Sequence, residues 1–346
     1  MKRFMVAILV LGYGIAPLAI GTTGARADDG VEKVTLRIET KGDQIVVSRV
    51  GDEKPRFVQN AREDFRPYLH PIVTPDGNGV LTESSPSHHK HQTGLYWGHT
   101  RAGGRDYFHH PEGDYWRLVG SQVIGASGNV AQWEVIYDML GQDGEALLRQ
   151  KHSWTFTDNG DHYVFDLDRL ATAQQDIGFG RYNYGGMFLR MPWRSETGGT
   201  ATNSRYQHDA AAEGQRARWV DVGMPIDGCD SPGHVVLMDH PEKVGYPVPW
   251  RVDRQLGVGP CHERLGDWQL LSGQSDRVRR RVLVYMGDFD GQQIDAVWHD
   301  FGGKAAEDIH PSPSVAPAAM TTAPGFQVSL AAGEPDVVQP FAFCFD

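Results

Sequence analysis

Cysteine is scarce in this chain: 346 residues carry only Cys229, Cys261 and Cys344, and no two form a C-x-x-C pair. A cysteine-built metal site is therefore excluded. One disulfide is possible in an oxidising compartment, with Cys229–Cys261 as the pairing to test, and three buried free thiols are equally compatible. Other signatures are missing too. There is no G-x-S-x-G, no Walker loop, no G-x-G-x-x-G after a strand and no H-E-x-x-H, which argues against nucleotide cofactors and a hydrolase nucleophile elbow. Basic excess is also absent: 33 Lys and Arg face 44 Asp and Glu. Such an acidic chain is a poor partner for nucleic acid or anionic lipid.

Long apolar runs stop early. Lys2 and Arg3 precede an apolar stretch over residues 4–20, and Ala25-Arg26-Ala27 follows as an A-x-A cleavage signal. Residues 1–27 read as a secretory signal peptide, which places the mature protein in the periplasm or outside the cell. Losing Lys2, Arg3 and Arg26 carries the formal net charge from −11 to −14. No later run reaches the roughly 18–20 apolar residues of a membrane span, so no membrane association is expected after cleavage. Residues 28–346 show no composition break and are expected to form one domain.

What is present is short, alternating and punctuated by turns. Two strands meet at Lys41-Gly42-Asp43 within residues 32–50, and residues 66–73 are held extended by Pro67 and Pro71. Further strand-like runs cover 117–123, 130–140, 147–157, 162–170, 186–191, 218–222, 234–239, 268–271, 278–286 and 326–330. Helix signals are few: residues 292–301, with Ile294, Val297 and Trp298 apolar, and an extension over 305–309. The pattern predicts an all-β fold, a large antiparallel β-sandwich with few short helices.

Chemistry concentrates in residues 84–116, which hold six of the fifteen histidines: His88, His89, His91, His99, His109 and His110. His89-x-His91 on extended chain would face one way, as half of a divalent metal site. Neutral histidines also serve as acids and bases near pH 7. Tyr96 is a candidate sugar platform, and Asp106 a carboxylate partner for a histidine such as His109. A second cluster, around Gly185-Gly186, offers Tyr184 and Arg190 as fixed donors. A third offers Asp239 and His240 at a strand end, Trp250 as another platform, and His262 with Glu263.

The elements Arg66-Pro67-Tyr68-Leu69-His70-Pro71, Gly94-Leu95-Tyr96-Trp97-Gly98-His99, Tyr184 to Arg190, Asp239-His240-Pro241 and Pro249-Trp250 occur in this order across most of the chain. Together they resemble the PmoA-like family of bacterial proteins, a domain of unknown function. The family's histidine element has the form D-H-P-H-H-R-G-L-W. Aligned on Gly94-Leu95, His89 and His91 match two of its histidines, while Gln92 replaces the third, Lys90 the proline and His88 the aspartate. The resemblance implies a galactose-mutarotase-like supersandwich and a setting in sugar catabolism. It does not imply a methane monooxygenase subunit, which would need several transmembrane helices.

These readings converge on an exported carbohydrate-active protein, read as an enzyme performing His/Glu acid–base chemistry on a sugar or oligosaccharide, of epimerase, lyase or hydrolase type. His89, His91, His99, His240 and Glu263 would carry the protons. Tyr96, Asp106, His109, Tyr184, Arg190, Asp239, Trp250 and His262 would bind substrate, the histidine loop forming one wall of a pocket and residues 239–263 the other. No cofactor is expected. The alternatives are a divalent metal held by His89 and His91, and a non-catalytic carbohydrate-binding protein.

Overall fold

The computed structural model describes residues 34–303; the expected strand at 326–330, the helical extension at 305–309 and Cys344 lie outside them. The described residues open with strands β1 Leu36–Lys41, β2 Gln44–Arg49, β3 Phe57–Asn60, β4 Tyr68–Ile72 and β5 Leu95–Gly98. Four long strands follow: β6 Trp116–Ser127, β7 Val130–Leu140, β8 Ala146–Asp158 and β9 His162–Ala173. The rest are short, except the last: β10 Ile177–Phe179, β11 Gly186–Leu189, β12 Thr200–Asn203, β13 Trp219–Met224, β14 Gly233–Asp239, β15 Trp250–Val252, β16 Val258–Pro260, β17 Trp268–Leu270 and β18 Ser275–Met286.

Two eight-stranded antiparallel sheets result. The first runs β1-β2-β3-β4-β5-β11-β16-β15 and the second β12-β13-β14-β18-β9-β8-β7-β6, with β10 and β17 forming a separate pair. Alternation decides which residues meet between them. In β8 and β9 Trp154, Phe156, Tyr163, Phe165 and Leu167 point inward, and in the first sheet Leu95, Trp97, Met187 and Leu189 point back at them, all within one buried cluster. The expected all-β sandwich is the observed fold.

The helix expected at 292–301 is α1, Gly291–Gly302. Asp290 caps it, its side chain accepting from the amides of Gln292 and Gln293. Ile294, Trp298 and Phe301 cover the outer face of the second sheet with Trp219, Val236 and Leu283. Of the two alternatives for the cysteines, the described residues show free thiols: Cys229, partly exposed, beside Thr74, and Cys261, buried, beside Tyr182 and Glu263. Among the described residues no helix is long and apolar enough to cross a membrane.

Candidate active site

The parity of β5 and β11 creates two sides with different chemistry. Phe188 lies opposite Tyr96 and Met187 opposite Trp97. Trp97 and Met187 enter the core between the sheets, whereas Tyr96 and Phe188 join Phe108, Tyr68 and Tyr184 in a separate aromatic cluster. Over that cluster lie two loops, and Arg66 ties them together. Fully buried, it donates to the carbonyls of Phe108 (2.6 Å) and His91, and its guanidinium lies 3.6 Å from the centre of the Tyr96 ring. Tyr96 is only 3 % exposed beneath this arrangement, so the expected sugar platform is instead part of the floor's support.

The histidine segment is not extended, so His89 and His91 do not share a face by strand alternation. Two successive turns form it: the His89 amide donates to Pro86 O and the Gln92 amide to His89 O, each at 2.9 Å. The rings still converge. His91 lies 5.7 Å from His89 and 4.6 Å from His109, centroid to centroid. Below them opens a cleft of about 350 Å³, lined by His89, His91, Gln92, His109, Tyr184 and Asp253 among others.

Three of the expected residues form a chain in this cleft. Asp106 Oδ1 accepts the amides of Phe108 and His109, both at 3.0 Å, which fixes the carboxylate. Its Oδ2 lies 2.7 Å from His109 Nδ1, and His109 Nε2 lies 3.1 Å from the Tyr184 hydroxyl. An ionised carboxylate can only accept, so Nδ1 carries the proton, and Nε2 accepts from Tyr184 O–H. Burial works to raise the Asp106 pKa, but the hydrogen bonds from His109 outweigh it and hold the carboxyl below its ordinary range. Burial, with Tyr182 alongside, pushes the Tyr184 phenol well above its ordinary value, so it keeps its proton. Beside this chain, burial and then His109 and Arg66 drive His91 down to about 3, leaving a neutral imidazole. His89 is also pushed down, by burial and Arg190.

Arg190 stands behind the cleft, 1 % exposed. It donates to the Gln92 side chain and to Gln255 O (2.8 Å), and lies 3.6 Å from Asp253 Oδ2. Its expected contact with substrate becomes a positioning role: it aims Gln92 and Asp253. Asp253 is further held by the amides of Gln255 (2.8 Å) and Gly257 (2.9 Å) through Oδ1. Sequence reading missed Asp253 and Arg251 as cleft residues. The D-x-Q-x-G turn was the available signal, but it marks a loop, not a site.

The remaining expected residues lie elsewhere, and the idea of one pocket with two walls is corrected. His99 and Glu263 are buried on the inner side of β5 and β11, lining a separate cavity with His262. The chain between Tyr184 and β11 passes so close that a Cβ on Gly185 would stand 2.6 Å from the Glu263 carboxyl carbon. His99 is fully engaged: Nδ1–H donates to Glu263 (2.7 Å), and Nε2 accepts from Trp97 (3.0 Å) and Arg169 (3.3 Å). That leaves no lone pair for catalysis and corrects the role expected of His99. His240 lines neither cavity. Its Nε2 accepts from Arg279 (2.9 Å), so Nδ1 carries the ring proton, beside the Glu242 amide (3.2 Å) and carboxylate (3.6 Å), and the ring packs edge-on against Phe301. Asp239 accepts the amides of His240 and Val248 and pairs with Arg280. Trp250 is wholly buried, its indole N–H donating to Ala217 O at 2.8 Å, and offers no face to a sugar. Among the described residues, no group of three or more His, Cys, Asp or Glu side chains is placed to hold a metal ion.

Buried neutral histidines make stability depend on pH. Burial, with Arg169 nearby, lowers His152 to about 3, and burial with Lys243 lowers His262 to about 4. In the unfolded chain each titrates near 6.5, so between these values the unfolded state binds more protons and stability falls as pH falls. The 5 %-exposed His152 alone should cost about 2 kcal/mol on going from pH 7 to 5. Thermal melts at pH 7, 6 and 5 should show the descent, and His152→Gln should flatten it; equal slopes would refute the assignment.

Residues 44–299 match the profile of a family described as of unknown function, DUF6807. Comparison with curated proteins finds no match. Among solved structures, the chain is similar to the GH36 alpha-galactosidase AgaB of Geobacillus stearothermophilus, at 9 % identity and TM-score 0.38 over 73 % of this chain and 41 % of that one. The alpha-galactosidase of Lactobacillus brevis gives 11 % and 0.37 over 76 % and 41 %. A galactose mutarotase related enzyme of Lactobacillus acidophilus gives 9 % and 0.29 over 72 % and 97 %. The chain thus spans about two-fifths of the alpha-galactosidases' length. Similarity at this level carries no substrate across.

Proposed function

Because the chain belongs to DUF6807, a family of unknown function, its chemistry has to be read from the cleft itself, and we propose that this cleft is an acid–base site acting on a sugar or sugar derivative. The observation that carries the proposal is the Asp106–His109–Tyr184 chain facing the neutral imidazole of His91. Tyr184 Oη takes a proton from a substrate carbon or hydroxyl as its own proton passes to His109 Nε2. The imidazolium formed is held by Asp106, and the reverse transfer returns the proton. His91, whose ring lies 4.6 Å from that of His109, supplies a second proton acceptor in the same cleft. Two proton-transfer groups lining one cleft suit epimerisation, ring opening or elimination. Sugar as substrate class is supported by the setting, with rings of Phe108 and Phe188 beneath and amide, carboxylate, hydroxyl and guanidinium groups around them. Export through a signal at residues 1–27 and the PmoA-like likeness of the motifs belong to the same proposal.

Polarimetry and proton exchange by NMR in D2O, over a panel of aldoses and uronates, test it. Turnover should appear with the wild type and fall about a hundredfold or more in Tyr184→Phe and in His91→Ala, with melting temperatures unchanged. Saturable sugar binding without turnover would replace the enzyme with a binding protein, and wild-type turnover in both variants would move the chemistry out of this cleft.

A further inference from the structure

The inner cavity has a chemistry of its own. Along the second sheet, core-facing positions change from apolar to polar on three adjacent rungs. Arg280 pairs in register with Asp239 on β14 and Leu167 on β9, Arg169 faces His152, and Asp276 follows two residues before Val278. Arg169, Arg280, Asp239 and His152 are all buried. An ion-pair network that merely held the sheets together would close on itself. This one leaves donors over. Asp276 is used by Lys243 and Arg169, Asp239 by Arg280, and Glu263 by His99. Three buried nitrogens around the same cavity have no hydrogen-bond partner: Trp268 Nε1, Arg280 Nε and His262 Nδ1. The first two can only donate, and an unpaired buried donor costs about 1–3 kcal/mol.

We propose that this cavity is a second ligand site, for a short-chain carboxylate whose oxygens accept from Trp268, Arg280 and His262. A carboxylate offers about four lone-pair positions to these donors, and its charge falls beside Lys243 and Arg280, which line the cavity together with Glu263 and Asp276, each already paired with His99 or Lys243. The enclosed space is small, well below what a sugar ring occupies, which limits an occupant to the smallest carboxylic acids. Entry is past the partly exposed His262 and Trp268. One face of Trp268 is stacked on Phe179 at 3.9 Å, so its N–H is held in place.

Calorimetry and thermal shift with glycolate, against its neutral isostere glycolamide, test the site in the whole protein. Glycolate should bind and raise the melting temperature, and glycolamide should do neither. Trp268→Phe keeps the stacked ring and removes only the N–H, and should weaken glycolate about tenfold; His262→Phe should do the same should the first variant melt early. Tyr184→Phe, in the outer cleft, should leave glycolate affinity unchanged, so this site and the proposed acid–base site stand or fall separately. Equal responses to glycolate and glycolamide, no response to either at tens of millimolar (a cavity holding solvent only), or unchanged affinity in both the Trp268 and His262 variants would overturn the proposal.

Discussion

Asp239→Ala should lower the melting temperature by about 10 °C, the largest stability loss expected from a single truncation among the residues discussed. The carboxylate is fully buried, accepts two backbone amides and pairs with Arg280, itself 2 % exposed. Burial pulls its pKa upward against the Arg280 charge, so the pair exists only because each partner offsets the other's desolvation. Removing one partner leaves a buried charge alone, at about 3–5 kcal/mol. For a domain of this size each kcal/mol moves the midpoint by about 2–4 °C. Asp239→Asn keeps the amide contacts and should lose less. Asp239→Leu combined with Arg280→Met, which removes both charges, should be more stable than Asp239→Ala alone. A Asp239→Ala protein melting within a degree or two of wild type would show that the pair is solvated and the reading of this rung wrong. The same comparison separates structure from chemistry in the Asp239-His240-Pro241 motif: on its contacts this motif anchors β14 to β18 and α1, and His240 has no free nitrogen to offer a substrate.

That motif shows where sequence reading succeeds and where it stops. Long alternations such as 147–157 and 162–170 predicted β8 and β9 to within a few residues, because period-two burial on a half-buried sheet leaves a record in every second residue. The four-residue strands β3 and β12 left none. All four residues of β3 are buried, as are three of β12, so hydrophobic alternation never develops. The histidine loop was legible as a site because nothing in a core needs so many imidazoles. What was not legible was sidedness. Tyr96 and Trp97 are neighbours in sequence, yet one faces the outer aromatic cluster and the other the sandwich interior. Pairing parity between β5 and β11 therefore sends His91, His109 and Tyr184 to one cavity and His99, His262 and Glu263 to another. A list of candidate residues contains no such parity, so two sites read as two walls of one.

Asp106→Asn should reduce kcat by a hundredfold or more while leaving KM and the melting temperature close to wild type. The side chain is about one-third exposed, so little packing is lost, and the asparagine Oδ1 can still accept the amides of Phe108 and His109. What changes is direction. The asparagine NH2 now donates toward His109 Nδ1, which must accept, so the ring proton moves to Nε2. Nε2–H then points at the Tyr184 oxygen, and the hydroxyl can no longer hand its proton to the imidazole. A correctly placed acid–base group is worth about 10²–10⁴ in rate, and the substitution removes that group's function without removing the group. A purely structural Asp106 predicts the opposite split, a lower melting temperature with kcat retained in the folded fraction. Should Asp106→Asn turn over at the wild-type rate, Tyr184 does not work through His109, and proton transfer in this cleft would rest on His91 alone.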